Sequence, residues 1–259
     1  MDLGIAGRTA IVCASSRGLG RACATALAEA GCHVIVNGRD AAVVQATADE
    51  IRSKTGAKVT PVAADVATPE GQAALFAAAP EPDILVNNNA GPPPRDFREL
   101  TRPQMLEGVT ANMVIAIELV QRAIGPMTAK KFGRIINITS GTVKLPQAGL
   151  DLSSAARGGL TIFLTGVARS VAANNITINN LLPGAFETDR LKTVLGAAAK
   201  RQGKSYEDAR AERIASIPAR RLGDLEGFGA ACAFLCSAQA GFITGQNLTI
   251  DGGAFPGVF

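Results

Sequence analysis

Short apolar runs rich in β-branched residues alternate with Ala- and Leu-rich stretches of helical period along nearly the whole 259-residue chain. That alternation restricts the fold more than any other feature. Runs at 8–13 (RTAIVC), 33–37 (HVIVN), 59–63 (VTPVA), 83–87 (DILVN), 134–138 (RIINI), 177–182 (TINNLL) and 247–250 (NLTI) read as strands. The intervening 21–30, 41–54, 69–79, 105–124, 154–173 and 225–235 read as helices. Strands separated by helices at this spacing imply parallel βαβ units with right-handed crossovers. The expectation is a single-domain α/β Rossmann fold over 1–259, a doubly wound parallel sheet of about seven strands flanked by helices. No repeat, low-complexity tract or Pro/Gly linker marks a second domain. The polar stretch 189–216 fits one or two exposed helices.

Composition narrows the partners. A net charge of +4 is spread without a long basic run, which argues against a nucleic-acid partner. No stretch of eighteen apolar residues is present to span a membrane. The five cysteines (Cys13, Cys23, Cys32, Cys232, Cys236) form no C-x-x-C pair and no metal-type cluster with the single histidine, His33. They read as core residues of a reducing, cytoplasmic compartment, and no metal site is expected.

Between the first strand and helix lies C-A-S-S-R-G-L-G, Cys13 to Gly20. A Gly-rich turn that opens a helix brings backbone N–H groups and the helix dipole to a phosphate. The order of motifs from there resembles the short-chain dehydrogenase/reductase family, in particular its 3-oxoacyl-carrier-protein reductase branch. The resemblance covers nearly the whole chain. It includes G-R-I-I-N-I from Gly133, I-N-N-L-L-P-G-A-F-E-T from Ile178, I-P-A-R-R-L-G from Ile217 and F-I-T-G-Q-N-L-T-I-D-G-G from Phe242.

The resemblance implies a dinucleotide bed formed by Ser15, Ser16, Arg17, Gly18, Leu19 and Gly20, with Ala14 where the family has its first glycine. Asn37, Gly38 and Arg39 end the second strand. Gly38 stands where an acidic residue would select a ribose hydroxyl, and Arg39 and Arg17 suit a 2′-phosphate, so NADP(H) is expected over NAD(H). Asp65 and Val66 match the adenine-binding pair. The N-N-A-G motif is met by V-N-N-N-A-G in either of two registers. The ungapped one, preferred for the spacing of Asn88 to Asn112, places Asn87, Asn88, Asn89 and Ala90 on it. The other uses Asn88 to Gly91. Pro183, Gly184 and Thr188 match the segment that closes over the nicotinamide.

Family chemistry uses an Asn, a Ser, a Tyr and a Lys. Asn112 and Ser140 match the first two, but Ser153 stands at the tyrosine and Arg157 at the lysine, so Y-x-x-x-K has become S-x-x-x-R. Arg157 keeps the charge and can donate to ribose hydroxyls, whereas a serine is a poorer acid than a phenol and its side chain is short. Ser153 could therefore deliver a proton only through water. Tyr206 in the stretch 189–216, which by resemblance is the substrate lid, Lys144 and Asp151 are candidate substitutes, Ser154 reads as a first-turn residue, and His33 reads as structural. The expected activity is NADP(H)-dependent reduction of a ketone or 3-oxoacyl thioester with altered proton delivery. The competing reading is a catalytically silent nucleotide- or ligand-binding homologue. Family members lead to the expectation of a homotetramer, or a dimer.

Overall fold

The computed structural model describes residues 2–258. Seven strands form one parallel sheet in the order β3-β2-β1-β4-β5-β6-β7. They are β1 (Thr9–Val12), β2 (His33–Gly38), β3 (Val59–Ala63), β4 (Ile84–Asn87), β5 (Gly133–Ile138), β6 (Ile176–Pro183) and β7 (Asn247–Ile250). The order reverses between β1 and β4, which opens a crevice at their carboxyl ends where ligands bind in such sheets.

Side chains alternate across each strand, so a sheet covered on both faces must be apolar on both. Ala10, Val12, Val34 and Val36 enter one core with Cys23 and Leu27 of α1 (Gly18–Glu29), Val44 of α2 (Ala41–Thr55), and Phe228 and Cys232 of α9 (Leu225–Cys236). Ile11, Cys13 and Ile35 enter the other core. There they meet Leu75 of α3 (Pro69–Ala78), Leu119 and Met127 of α5 (Ile115–Lys130), and Leu160 and Leu164 of α6 (Asp151–Val171). All five cysteines are buried and free. Desolvation pushes the thiols of Cys13 and Cys32 up to about 12, so they pack as small apolar groups.

One buried polar feature crosses the sheet. Asn87, Asn137, Asn180 and Asn247 are in register on four adjacent strands. Each amide nitrogen donates to the next amide oxygen, from Asn87 to Asn137 at 2.9 Å, Asn137 to Asn180 at 3.0 Å and Asn180 to Asn247 at 2.8 Å. A chain of amides bonded strand to strand fixes register among strands whose apolar faces would tolerate a slip.

The helix expected over 105–124 is interrupted. α4 (Arg102–Val109) passes through a wide π-turn, Thr110–Val114, before α5 begins. The apolar period runs on through the interruption, so it gave no sign of a turn that centres on Asn112. The stretch 189–216 forms α7 (Asp189–Gln202) and α8 (Tyr206–Ala215). Among the described residues, no helix is long and apolar enough to cross a membrane, and no group of three metal-ligating side chains occurs.

Candidate active site

The β1–α1 turn is held by its own neighbours. Ala14 sits in the left-handed region at φ 44°, the conformation that favours glycine. Its N–H donates to Asn37 Oδ1 at 3.1 Å, and its carbonyl accepts from Asn88 Nδ2 at 3.1 Å. Asn37 Nδ2 donates onward to the carbonyls of Val62 and Ala64. Ser15 Oγ donates to Val12 O at 2.6 Å and accepts from Asn37 N at 2.9 Å. The side chains of Ser15, Asn37 and Asn88, expected to meet a cofactor, are thus spent on bracing the turn. The side chain of Val66 is buried in the second core.

Bare backbone is required at Gly20, where a Cβ would lie 2.5 Å from the Ala14 carbonyl and 2.8 Å from Asn88 Nδ2. Helix α1 then begins at Gly18, Leu19 and Gly20 with no side chain capping it and no acid in its first turn, which leaves its N–H groups and dipole for an anion. Arg17 and Arg39 are exposed on either side and take part in no ion pair among the described residues. Asp40 beside Arg39 is turned away to cap α2 through Val43 N. At Gly38 a Cβ would meet Ser16 Oγ at 2.7 Å, so this corner has no room for an acidic side chain. Asp65 Oδ1 accepts from Ala67 N, and its second oxygen is uncommitted.

At the reaction centre, Ser140 follows β5 and is half-buried. Its Oγ accepts from Thr142 N at 3.2 Å and from Thr142 Oγ1 at 2.9 Å, which leaves its own hydrogen free to donate. Ser153 and Arg157 share one face of α6 a turn apart, with Arg157 Nε donating to Ser153 Oγ at 3.3 Å. The guanidinium also donates to the carbonyls of Ile138 (2.8 Å), Thr139 (3.0 Å) and Asn89 (3.2 Å). Four of its five N–H groups are therefore engaged. The expectation of a ribose donor at Arg157 shrinks to one remaining N–H, because the fork ties the end of β5 to the exit of β4. Burial, with a smaller contribution from Arg190, lowers its pKa to about 10.

Asn112 lies in the π-turn and donates to the carbonyls of Ala90 (3.4 Å) and Gly108 (3.3 Å). Its Oδ1 and that of Asn87 are buried without a protein partner. Both residues line a cavity of about 20 Å³ with Asn88, Asn89, Asn137 and Arg157, a space and polarity that suit one water. Asn89 Nδ2 braces Ala111 O at 3.0 Å.

The segment that follows β6, expected as a lid, packs toward this crevice. Pro183 ends β6, and at Gly184 a Cβ would collide with Asp251 at 2.7 Å. Thr188 caps α7 through Leu191 N, and its methyl would be 3.5 Å from a Cβ at Gly18, so lid and first turn face one another across the bed. Arg190, a residue the sequence reading passed over, reaches back from α7 and donates to Pro92 O at 2.9 Å. A point at the Cβ position of Gly91 is 3.1 Å from Arg190 Nη2 and 3.4 Å from Ser153 Oγ. The candidate acids have contacts of their own. Lys144 stacks on Phe255, and Asp151 accepts from Gly149 N. Tyr206 heads α8 and makes no hydrogen bond to Ser140, Ser153 or Arg157. Ser154 Oγ donates to Leu150 O, as a first-turn residue does, and His33 pairs with Thr60 on the sheet.

A crevice at the switch point of a parallel sheet, with an uncapped helix above β1, Ser140 after β5 and Asn112 in the π-turn before α5, fits a Rossmann-type oxidoreductase scaffold. The chain belongs to the short-chain dehydrogenase/reductase family: residues 13–254 match the family model described as enoyl-(acyl carrier protein) reductase. It is 31% identical over 256 residues to the NADPH-dependent reductase BacG of Bacillus subtilis, covering 97% of this chain and 99% of that protein. To the 3-oxoacyl-[acyl-carrier-protein] reductase FabG of Vibrio cholerae it is 31% identical, covering 98% of this chain and 99% of that one. Among solved structures it resembles L-sorbose reductase from Gluconobacter frateurii in complex with NADPH and L-sorbose. That likeness has a TM-score of 0.92 at 27% identity and covers all of both chains.

Arg190 and Thr142 are the site residues that sequence reasoning missed. Thr142 carried a weak signal, a second hydroxyl two positions after Ser140. Arg190 had none, because it is one of several basic residues in the polar stretch 189–216.

Proposed function

We propose that the protein is an NADP(H)-dependent reductase of a ketone whose proton comes from water rather than from a protein phenol. The observation that carries the cofactor preference is the corner at Gly38, where Arg17 and Arg39 are unpaired and a carboxylate has no room. An uncapped α1 supports pyrophosphate binding at Gly18 to Gly20. NADPH dependence in BacG agrees with this reading.

A bound nicotinamide supplies the hydride. Ser140 donates its hydroxyl hydrogen to the substrate carbonyl oxygen and stabilises the negative charge that develops there. Thr142 orients it. Arg157 holds β4, β5 and α6 together at the floor of the site and adds positive potential beneath it. The proton that completes the alcohol is delivered by water, because Ser153 is short and a guanidinium holds its proton too tightly to act as the acid. Asn112 and the polar cavity beside it position water under the site. Five buried free thiols support a reducing, cytoplasmic setting. Exposed Ile162 and Phe163 on α6 support pairing of this helix across subunits of a homotetramer.

Fluorescence titration of the purified protein with NADPH and NADH tests the core of this reading. Tighter binding of NADPH, by tenfold or more, is expected, and Arg39→Ala narrows the gap. Equal affinities would overturn the cofactor assignment, and no binding of either at millimolar concentration would overturn the reductase reading itself.

A further inference from the structure

Two guanidinium groups converge on the substrate side of the crevice with no carboxylate to neutralise them. Arg157 comes from the floor and Arg190 from the lid, close enough that the charge of Arg190 depresses the ionisation of Arg157. Nearby acids are all committed elsewhere. Asp151 accepts from Gly149 N, Asp189 pairs with Lys192, Glu187 pairs with Arg210, and Asp251 accepts from Gly253 N and Phe255 N. None of them pairs with Arg157 or Arg190 among the described residues. Partly buried positive charge without a counter-ion is costly, and two such charges side by side more so. Arg157 has a structural return for that cost, since its fork is spent on three carbonyls. Arg190 has little: it makes one good contact, to Pro92 O, and a long one of 3.5 Å to Gly91 O, which leaves three of its five N–H groups unspent. These lie beside Ser153, which together with Pro92, Arg95, Leu150 and Leu152 lines a small pocket. The phosphate-binding features, the α1 terminus with Arg17 and Arg39, form a separate set at the ends of β1 and β2.

We propose that Arg190 is a substrate-binding residue for a carboxylate, and that the ketone reduced here carries a carboxylate close to its carbonyl. This rests on the reductase reading for the word "reduced" but not for the binding. The planar fork of an arginine matches a carboxylate through two parallel hydrogen bonds, and the second cation beneath it raises the local positive potential. With the carboxylate held at the lid, the carbonyl oxygen points down toward Ser140.

The test measures binding by calorimetry to protein saturated with NADP+, so that no turnover is needed. The probes are 2-oxo-4-phenylbutanoate and its methyl ester. The acid is expected to bind at least tenfold more tightly than the ester. Arg190→Gln brings the two within about twofold, and Arg190→Lys, which keeps the charge but not the fork, falls between. A thermal melt and an NADPH titration of each variant report whether the fold and the cofactor site are intact. Equal affinity for acid and ester in the unmodified protein would overturn the proposal. So would a preference that survives in Arg190→Gln, or an Arg190→Gln protein that loses NADPH affinity while its acid preference stays. Selective acid binding with no NADPH oxidation on any ketone would leave the anion site standing and overturn the reductase reading instead.

Discussion

The two halves of the crevice have both departed from the family pattern, with opposite consequences. In the β1–α1 turn, Ala14 replaces a glycine and is forced to φ 44°, yet the turn keeps its path, because Asn37 and Asn88 grip the main chain on either side. At the reaction centre, Ser153 and Arg157 stand on α6 where the family resemblance puts a tyrosine and a lysine, and on the proposed reading proton delivery passes to water. A phosphate bed works through main-chain N–H groups, which every residue but proline supplies. Proton transfer works through one side-chain group of suitable pKa at hydrogen-bond distance. One substitution is therefore absorbed in the first half, while the two in the second bear directly on the chemistry.

The largest effect expected comes from rebuilding the second half alone. Ser153→Tyr with Arg157→Lys should raise the turnover of a neutral ketone with NADPH by about 10² or more, the usual contribution of a positioned general acid. Arg190 Nη2 and Ser153 Oγ converge on one point beside Gly91, so a tyrosine competes with Arg190 for space. Adding Arg190→Ala should therefore increase the gain further. If steady-state rates of both variants stay at background while NADPH still binds, the loss at the reaction centre extends beyond the tetrad.

Next in size is a stability difference between arginines. Arg157→Met strips donors from the carbonyls of Ile138, Thr139 and Asn89 at once. Unsatisfied buried carbonyls should lower the unfolding free energy by about 1–3 kcal/mol, measured from urea midpoints. Arg39→Ala, on the exposed rim of the first half, should stay within about 0.5 kcal/mol while it weakens NADPH binding. An equal loss in both would mean that Arg157 is no more structural than a surface charge.

How much of this was legible in the sequence follows the same division. Strands came through almost to the residue, because Ile11, Ile35, Val86 and Ile136 sit in parallel strands buried on both faces, whose apolar runs leave little ambiguity. The first turn, the uncapped start of α1 and the S-x-x-x-R replacement were legible as local motifs. The π-turn at Asn112 was not, since one extra residue in a turn leaves the apolar period nearly intact. The amide ladder was not, since Asn87, Asn137, Asn180 and Asn247 are neighbours only once the strand order is known. Arg190 was hidden for a similar reason: its importance comes from contact with Pro92 and nearness to Ser153, far away along the chain.

The smallest effect probes the half that absorbed its substitution. An L-residue in the left-handed region costs about 1–2 kcal/mol, and Ala14→Gly removes that strain. Glycine gives back about 0.5–1 kcal/mol through the greater freedom of the unfolded chain. The net result should be a stabilisation below about 1 kcal/mol, visible as a small upward shift in the urea midpoint. NADPH affinity should change by less than about threefold, because at 1.4 kcal/mol per factor of ten the relieved strain is mostly common to the free and bound protein. A large gain in NADPH affinity on Ala14→Gly would mean that the methyl group narrows the cofactor bed, and that the first half of the crevice was damaged by its substitution after all.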